Sequence, residues 1–95
     1  MAQSLPVVDN RTAGQFEIRT DGGVAVLTYV QRGDALDLVH TRVPHTLEGK
    51  GYAGALAKAA LEYARAMGLK VIPTCPFVST YLRRHKEYAD LVQAG

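Results

Sequence analysis

The stretch of this chain best equipped for chemistry is Val43-Pro44-His45-Thr46-Leu47-Glu48-Gly49-Lys50-Gly51-Tyr52-Ala53-Gly54, with glycines at 49, 51 and 54. It lies between a strand-like segment and a long helix-like one. Glycine reaches backbone conformations closed to other residues and lets a ligand approach the main chain. The first amide N–H groups of a helix have no internal partner, and the helix dipole adds partial positive charge there. A turn of this kind around Gly49-Lys50-Gly51 is an anion site suited to phosphate or pyrophosphate. Lys50 either adds charge to that site or points to solvent. The plainer reading of the same glycines is an ordinary strand-to-helix turn.

Two phosphate-binding patterns fail. A Walker A loop needs Gly-Lys-Ser/Thr, which the chain does not contain. The spacing Gly49-x-Gly51-x-x-Gly54 fits a dinucleotide fingerprint literally. That fingerprint also requires a βαβ unit with an acid about 20 residues on. Just past the helix the chain reads Gly68-Leu69-Lys70, with no acid until Glu87.

The elements that must position the turn follow from hydrophobic period. Phe16-Glu17-Ile18-Arg19 alternates apolar and polar, as a strand with one buried face does. Asp21-Gly22-Gly23 signals a hairpin. Val24 to Val30 is apolar at nearly every position, which predicts a central strand covered on both faces. Gln31-Arg32-Gly33-Asp34 turns the chain again, and Leu36 to Val43 is a third strand closed by Pro44. From Gly51 to Met67 the period changes: Ala53, Leu56, Ala57, Ala60, Ala64 and Met67 recur at steps of three and four, with Lys58, Glu62 and Arg65 opposite and able to pair. Gly68 reads as a left-handed cap with Leu69 folding back. Lys70 to Pro73 is a short strand and Phe77 to His85 a second helix. The fold class is α/β (α+β): a three-strand antiparallel meander, then helix, strand, helix around one mixed sheet. The crossover from the third strand to a parallel fourth is expected to be right-handed.

Glu48-Gly49-Lys50-Gly51-Tyr52-Ala53 resembles the R/Q-x-x-G-x-G/A motif of the GNAT N-acetyltransferase superfamily. The run from Val39-His40-Thr41 through Val71-Ile72-Pro73-Thr74-Cys75-Pro76-Phe77-Val78 resembles its short single-domain branch. The resemblance covers residues 15–92, and the pairing of the glycine turn with Pro-x-Cys-Pro-Phe is more specific than either part. It implies a GNAT-like sheet lacking the usual early helices. It also implies that coenzyme A, as acetyl-CoA, is held by the turn from Glu48 onward, chiefly through the amides of Gly49, Lys50, Gly51, Tyr52, Ala53 and Gly54. The strand residues Thr41, Arg42 and Val43 would pair with the pantetheine arm. Glu48 occupies the motif position where Arg or Gln is usual, and a carboxylate beside a pyrophosphate is unfavourable unless it points away. The missing early helices shape the acceptor site in that superfamily, so the acceptor amine (protein, polyamine or metabolite) stays open.

Cys75 lies where the resemblance delivers the acyl thioester. It is either an acyl-accepting nucleophile or a small buried residue. Tyr81 stands near the place where the superfamily often uses a tyrosine to protonate the departing thiolate. A phenol of ordinary pKa suits that role only if its surroundings lower it, and packing is the alternative. His40 alternates with Leu36 and Leu38 and reads as a satisfied core histidine, with a general base as the other role. Glu48 reads as a solvated turn residue or a base. His40, His45, His85 and Cys75 lack ligand spacing, so no metal is expected. The run Arg83-Arg84-His85-Lys86 complements a helix C-terminus. Its sharper readings are contact with the 3′-phosphate of coenzyme A or with an acidic partner; nucleic-acid binding comes third, without aromatic interleaving or a known module to support it.

The 95 residues are expected to form a single domain, 1–95. Such a chain buries only about 60–65% of the surface its unfolded form exposes. Eleven basic residues against nine acidic ones give +2. That balance is too small to argue for a nucleic-acid partner on its own; it suits a polyanionic ligand, or is simply a solubility setting. The single Cys75 fits a reducing compartment. Met1-Ala2-Gln3-Ser4-Leu5-Pro6 lacks the basic and apolar regions of a signal peptide, and no apolar run reaches the roughly 18 residues of a membrane span. The expectation is a cytoplasmic acetyl-CoA-dependent N-acyltransferase, the alternative a non-catalytic acyl-CoA-binding module acting through a partner.

Overall fold

Short glycine-bearing turns and alternating strands produce a sheet of five strands in the order β1-β2-β3-β4-β5. The computed structural model describes residues 6–93. The signal-peptide argument rests mainly on Met1 to Leu5, which lie outside the described residues. The strands are β1 (Val8–Asn10), β2 (Gln15–Thr20), β3 (Gly23–Arg32), β4 (Ala35–Arg42) and β5 (Lys70–Ile72). The first four run antiparallel, and β5 joins β4 in parallel. Thr20 pairs with Gly23 and Arg32 with Ala35, so Asp21-Gly22 and Gly33-Asp34 are the hairpin tips.

Between β4 and β5 the chain makes a short 3-10 turn (His45–Leu47) and helix α1 (Tyr52–Met67). Helix α2 (Pro76–Arg84) follows β5, and a final 3-10 segment (Lys86–Leu91) completes the order. Among the described residues no helix precedes β4. None is long and apolar enough to cross a membrane.

One core cluster joins Phe16, Ile18, Leu27, Leu36, Leu38 and Val71 of the sheet to Leu56, Ala60, Leu61 and Ala64 of α1. Val78 and Leu82 of α2 and Tyr88 and Leu91 of the last segment belong to the same cluster. Gly68 ends α1 in the left-handed conformation at φ 69°, and the Leu69 amide donates to the Ala64 carbonyl at 2.8 Å. This is the expected cap.

Four expectations need correction. β3 is covered on one face only: Ala25 and Leu27 are buried, while Val24 and Val30 are each 44% exposed. A run of β-branched residues satisfies strand propensity without requiring a second layer. Met67 is exposed rather than on the apolar stripe, whose missing member is the fully buried Leu61. Glu62 and Arg65 do not pair within α1; both reach the last segment, Glu62 accepting from the Tyr88 hydroxyl and Arg65 forming an ion pair with Asp90 at 3.1 Å. His40 is exposed. Thr28 pairs with His40 but Tyr29 with Leu38, so Val39 is the extra residue of a bulge. The alternation set by Leu36 and Leu38 slips by one there, and His40 turns to the uncovered face.

Candidate functional site

The turn after β4 is built by two left-handed glycines flanking Lys50. Gly49 has φ 79° and Gly51 φ 83°, and no non-glycine residue takes positive φ among the described residues. A Cβ on either would meet nothing within 4 Å, so the backbone angle, not crowding, calls for glycine. Gly51 is the N-cap of α1 and brings no side-chain cap, and the first turn holds no acid. The first helical bond runs from the Ala55 amide to the Gly51 carbonyl at 3.0 Å. The amides of Tyr52, Ala53 and Gly54 therefore lack intrahelical acceptors. They face an uncompensated positive dipole end.

The adjoining wall comes from β4. Its register with β5 ends at Asp37 opposite Ile72. A bond from the Cys75 amide to the Leu38 carbonyl, 2.8 Å, closes the pairing. Past the Val39 bulge the strand edge is open. The result is a cavity of about 690 Å³ lined by Thr41, Arg42 and Val43 of β4, Leu47, Glu48, Gly49 and Gly51 of the turn, Tyr52, Ala53 and Gly54 of α1, and Phe77 of α2. Strand edge, amide nest and helix N-terminus converge there, an arrangement that can hold a phosphate at one end and an extended arm along the strand.

Residues 15–91 match the family described as GCN5-related N-acetyl-transferase. The chain belongs to the GCN5-related N-acetyltransferase family. It is 38% identical over 94 residues to the protein NATD1 of Homo sapiens, covering 94% of this chain and 83% of that one. To NATD1 of Xenopus tropicalis it is 36% identical over 97 residues, covering 97% and 89%. Its fold is similar to the solution NMR structure of a GCN5-like protein from Staphylococcus aureus, with TM-score 0.74 and 28% identity over 99% of this chain and 93% of that one.

Within this GCN5-related fold, nine of the ten residues expected to hold a cofactor line the one cavity: Thr41, Arg42, Val43, Glu48, Gly49, Gly51, Tyr52, Ala53 and Gly54. Lys50 is exposed and outside the lining. Leu47 and Phe77 line it without having been singled out as site residues. Phe77 is 38% exposed despite its size. An aromatic directly after Cys75-Pro76 at a helix start was the available signal. Glu48 turns toward His45, with Oε1 3.4 Å from Nδ1.

Cys75 is behind the wall, not in it. It is 3% exposed and N-caps α2, with Pro76 as the first helical residue. Its Sγ lies 3.3 Å from the Thr41 hydroxyl. Burial pushes the thiol up, but the Thr41 hydroxyl and the nearby Val78 and Phe77 amides at the start of α2 outweigh it and hold the thiol below its ordinary value.

Tyr81 is half-buried one turn into α2, beside Gly54; a Cβ on that glycine would sit 3.8 Å from the tyrosine ring. It stacks on His85 with centroids 3.8 Å apart at 11°, and His85 Nδ1–H donates back to the Tyr81 carbonyl at 2.9 Å. Burial, and then the carboxylates of Glu87 and Glu62, push the Tyr81 phenol up. The lowering that thiolate protonation asks for is thus absent from this side chain's surroundings.

Proposed function

We propose that this protein is an acetyl-CoA-dependent N-acyltransferase that moves an acetyl group to an amine acceptor by direct attack. The observation that carries the reading is the convergence of the Gly49 to Gly54 amides with the open edge of β4 on one cavity, in a family that generally uses acetyl-CoA. The turn amides and the α1 N-terminus suit the pyrophosphate. The edge of β4 at Thr41 to Val43 suits the amide-bearing arm, which makes the contacts a further strand would make. The donor supplies an activated thioester. The chain's own contribution is to hold that carbon against the strand, polarise its oxygen with a backbone N–H near the bulge, and exclude water with Leu47 and Phe77. Such a site draws its rate from positioning and asks little of side-chain acids and bases. The free thiol of Cys75 fits a reducing, cytoplasmic setting.

A second route has the lowered Cys75 thiol beside Thr41 in its favour and the burial of Cys75 behind the cavity wall against it. In it Cys75 Sγ takes the acyl group with loss of the coenzyme A thiolate, and the amine then attacks the cysteine thioester. Cys75→Ala separates the two: retained turnover supports direct attack, and loss of turnover in a folded variant with intact cofactor binding supports the covalent route.

The first test is thermal unfolding with and without acetyl-CoA, with ATP and NAD as controls. At about 100 times its dissociation constant a ligand adds roughly 2.7 kcal/mol, a shift on the order of 10 °C for a domain of this size. No shift at millimolar acetyl-CoA would sink the reading. Binding without acetyl transfer to a broad amine panel would favour a non-catalytic acyl-CoA-binding module.

A further inference from the structure

Glu48 is the one acidic residue among those lining the cavity. It stands immediately before the first left-handed glycine, in extended conformation at φ −65° and ψ 149°. Its backbone is pinned there by its amide, which donates to the His45 carbonyl at 3.3 Å. Its carboxylate Oε1 lies 3.4 Å from His45 Nδ1, and both side chains are largely exposed. As part of the cavity lining, Glu48 places a negative charge beside the amide nest. Any ligand that brings a pyrophosphate to the amides of Gly49 to Gly54 meets this charge. The cationic side chains of this region are Lys50 on the turn itself and Arg42 at the end of β4. Of these, Lys50 stands outside the cavity lining.

We propose that Glu48 is an affinity-setting residue that weakens the hold on the pyrophosphate. Ligands offering phosphates alone, such as ADP, then bind poorly, and affinity depends on the arm paired with β4. The penalty falls on every pyrophosphate ligand alike, so the arm is what separates coenzyme A from a free nucleotide. A ligand bearing the extended arm recovers the loss along Thr41 to Val43; a free nucleotide has no means to do so. The inference rests on the reading of the cavity as a coenzyme A site.

The test is a charge series, Glu48→Gln and Glu48→Arg, with dissociation constants for coenzyme A, ADP and pantetheine measured by calorimetry at low and at physiological salt. Removing one unit charge near a doubly charged group across partly solvated space is expected to tighten coenzyme A and ADP by about fivefold. The arginine variant should continue in the same direction, and the gain should shrink as salt rises. Pantetheine, which carries no phosphate, should bind all three proteins equally. Coenzyme A affinity that is unchanged or weaker in both variants overturns the role of Glu48 while leaving the cofactor site standing. A gain that extends equally to pantetheine also overturns it, because the effect would not act on phosphate. Coenzyme A binding to none of the three proteins removes the cofactor reading and the inference together.

Discussion

Gly54→Ala is expected to move stability and ligand affinity in opposite directions. Gly54 is the third residue of α1 and lines the cavity. Its φ is not in the left-handed region, and a Cβ built on it meets only the Tyr81 ring, at 3.8 Å, an ordinary contact. Nothing in the protein itself therefore calls for glycine. Alanine in a helix is favoured over glycine by about 0.5–1 kcal/mol. With an unfolding entropy of roughly 0.2 kcal/mol/K for a chain this size, the ligand-free protein should melt about 2–5 °C higher. The same methyl group projects from the lining where the backbone is read as meeting the cofactor. Overpacking there costs about 1–3 kcal/mol, so acetyl-CoA affinity should fall at least about fivefold. Differential scanning fluorimetry across an acetyl-CoA titration reads both quantities in one experiment. A lower melting point would show that the space beside Tyr81 is misjudged. A higher one with unchanged affinity would show that the cofactor does not pass over Gly54.

Two other perturbations address the sheet and the second helix. The Glu17 carboxylate is held below its ordinary value by hydrogen bonds from Gln15 and Asn10 and by Arg19. A depressed folded-state value stabilises the protein above the unfolded value near 4.5, and that contribution is lost as pH falls through the folded value. Glu17→Gln should flatten the acid limb of a pH-stability curve below about pH 4.5; an acid limb unchanged from the parent would refute the coupling. Tyr81→Phe should leave the unfolding free energy within about 0.5 kcal/mol, since no hydrogen bond of its hydroxyl is seen among the described residues. If that hydroxyl donates to the leaving group, turnover should fall about 100-fold or more with acetyl-CoA affinity intact; unchanged turnover would assign Tyr81 to packing.

Local signals in the sequence were legible where they were strong. Gly68 announced the end of α1 because a left-handed cap is a property of one residue and its neighbours. Asp21-Gly22 and Gly33-Asp34 announced their hairpins for the same reason. The glycine turn was legible as a left-handed entry to α1 because its geometry is carried by the backbone of consecutive residues. Features that depend on distant partners were not. β1 is three residues long and exists because β2 offers it an edge. The segment Lys86–Leu91 is placed by Tyr88 packing into the core and by Arg65 reaching Asp90. The Val39 bulge leaves no mark in the pattern Leu36-Asp37-Leu38-Val39-His40, so the side to which His40 points could only come from the pairing with β3. Phe77 belongs to the cavity because α2 folds back beside α1, a contact no local period encodes.

The early end of β5 has a consequence for solubility as well as for binding. A strand edge with unpaired backbone groups invites another sheet, and proteins commonly guard such edges. Pro73 and Pro76 bracket the segment after β5, and neither has an N–H with which to extend the ladder along β4. The bared edge lies beside the first turns of two helices, along the wall of the cavity. Interrupting the sheet there leaves β4 a poorer template for a neighbouring strand than a long, flat edge would be.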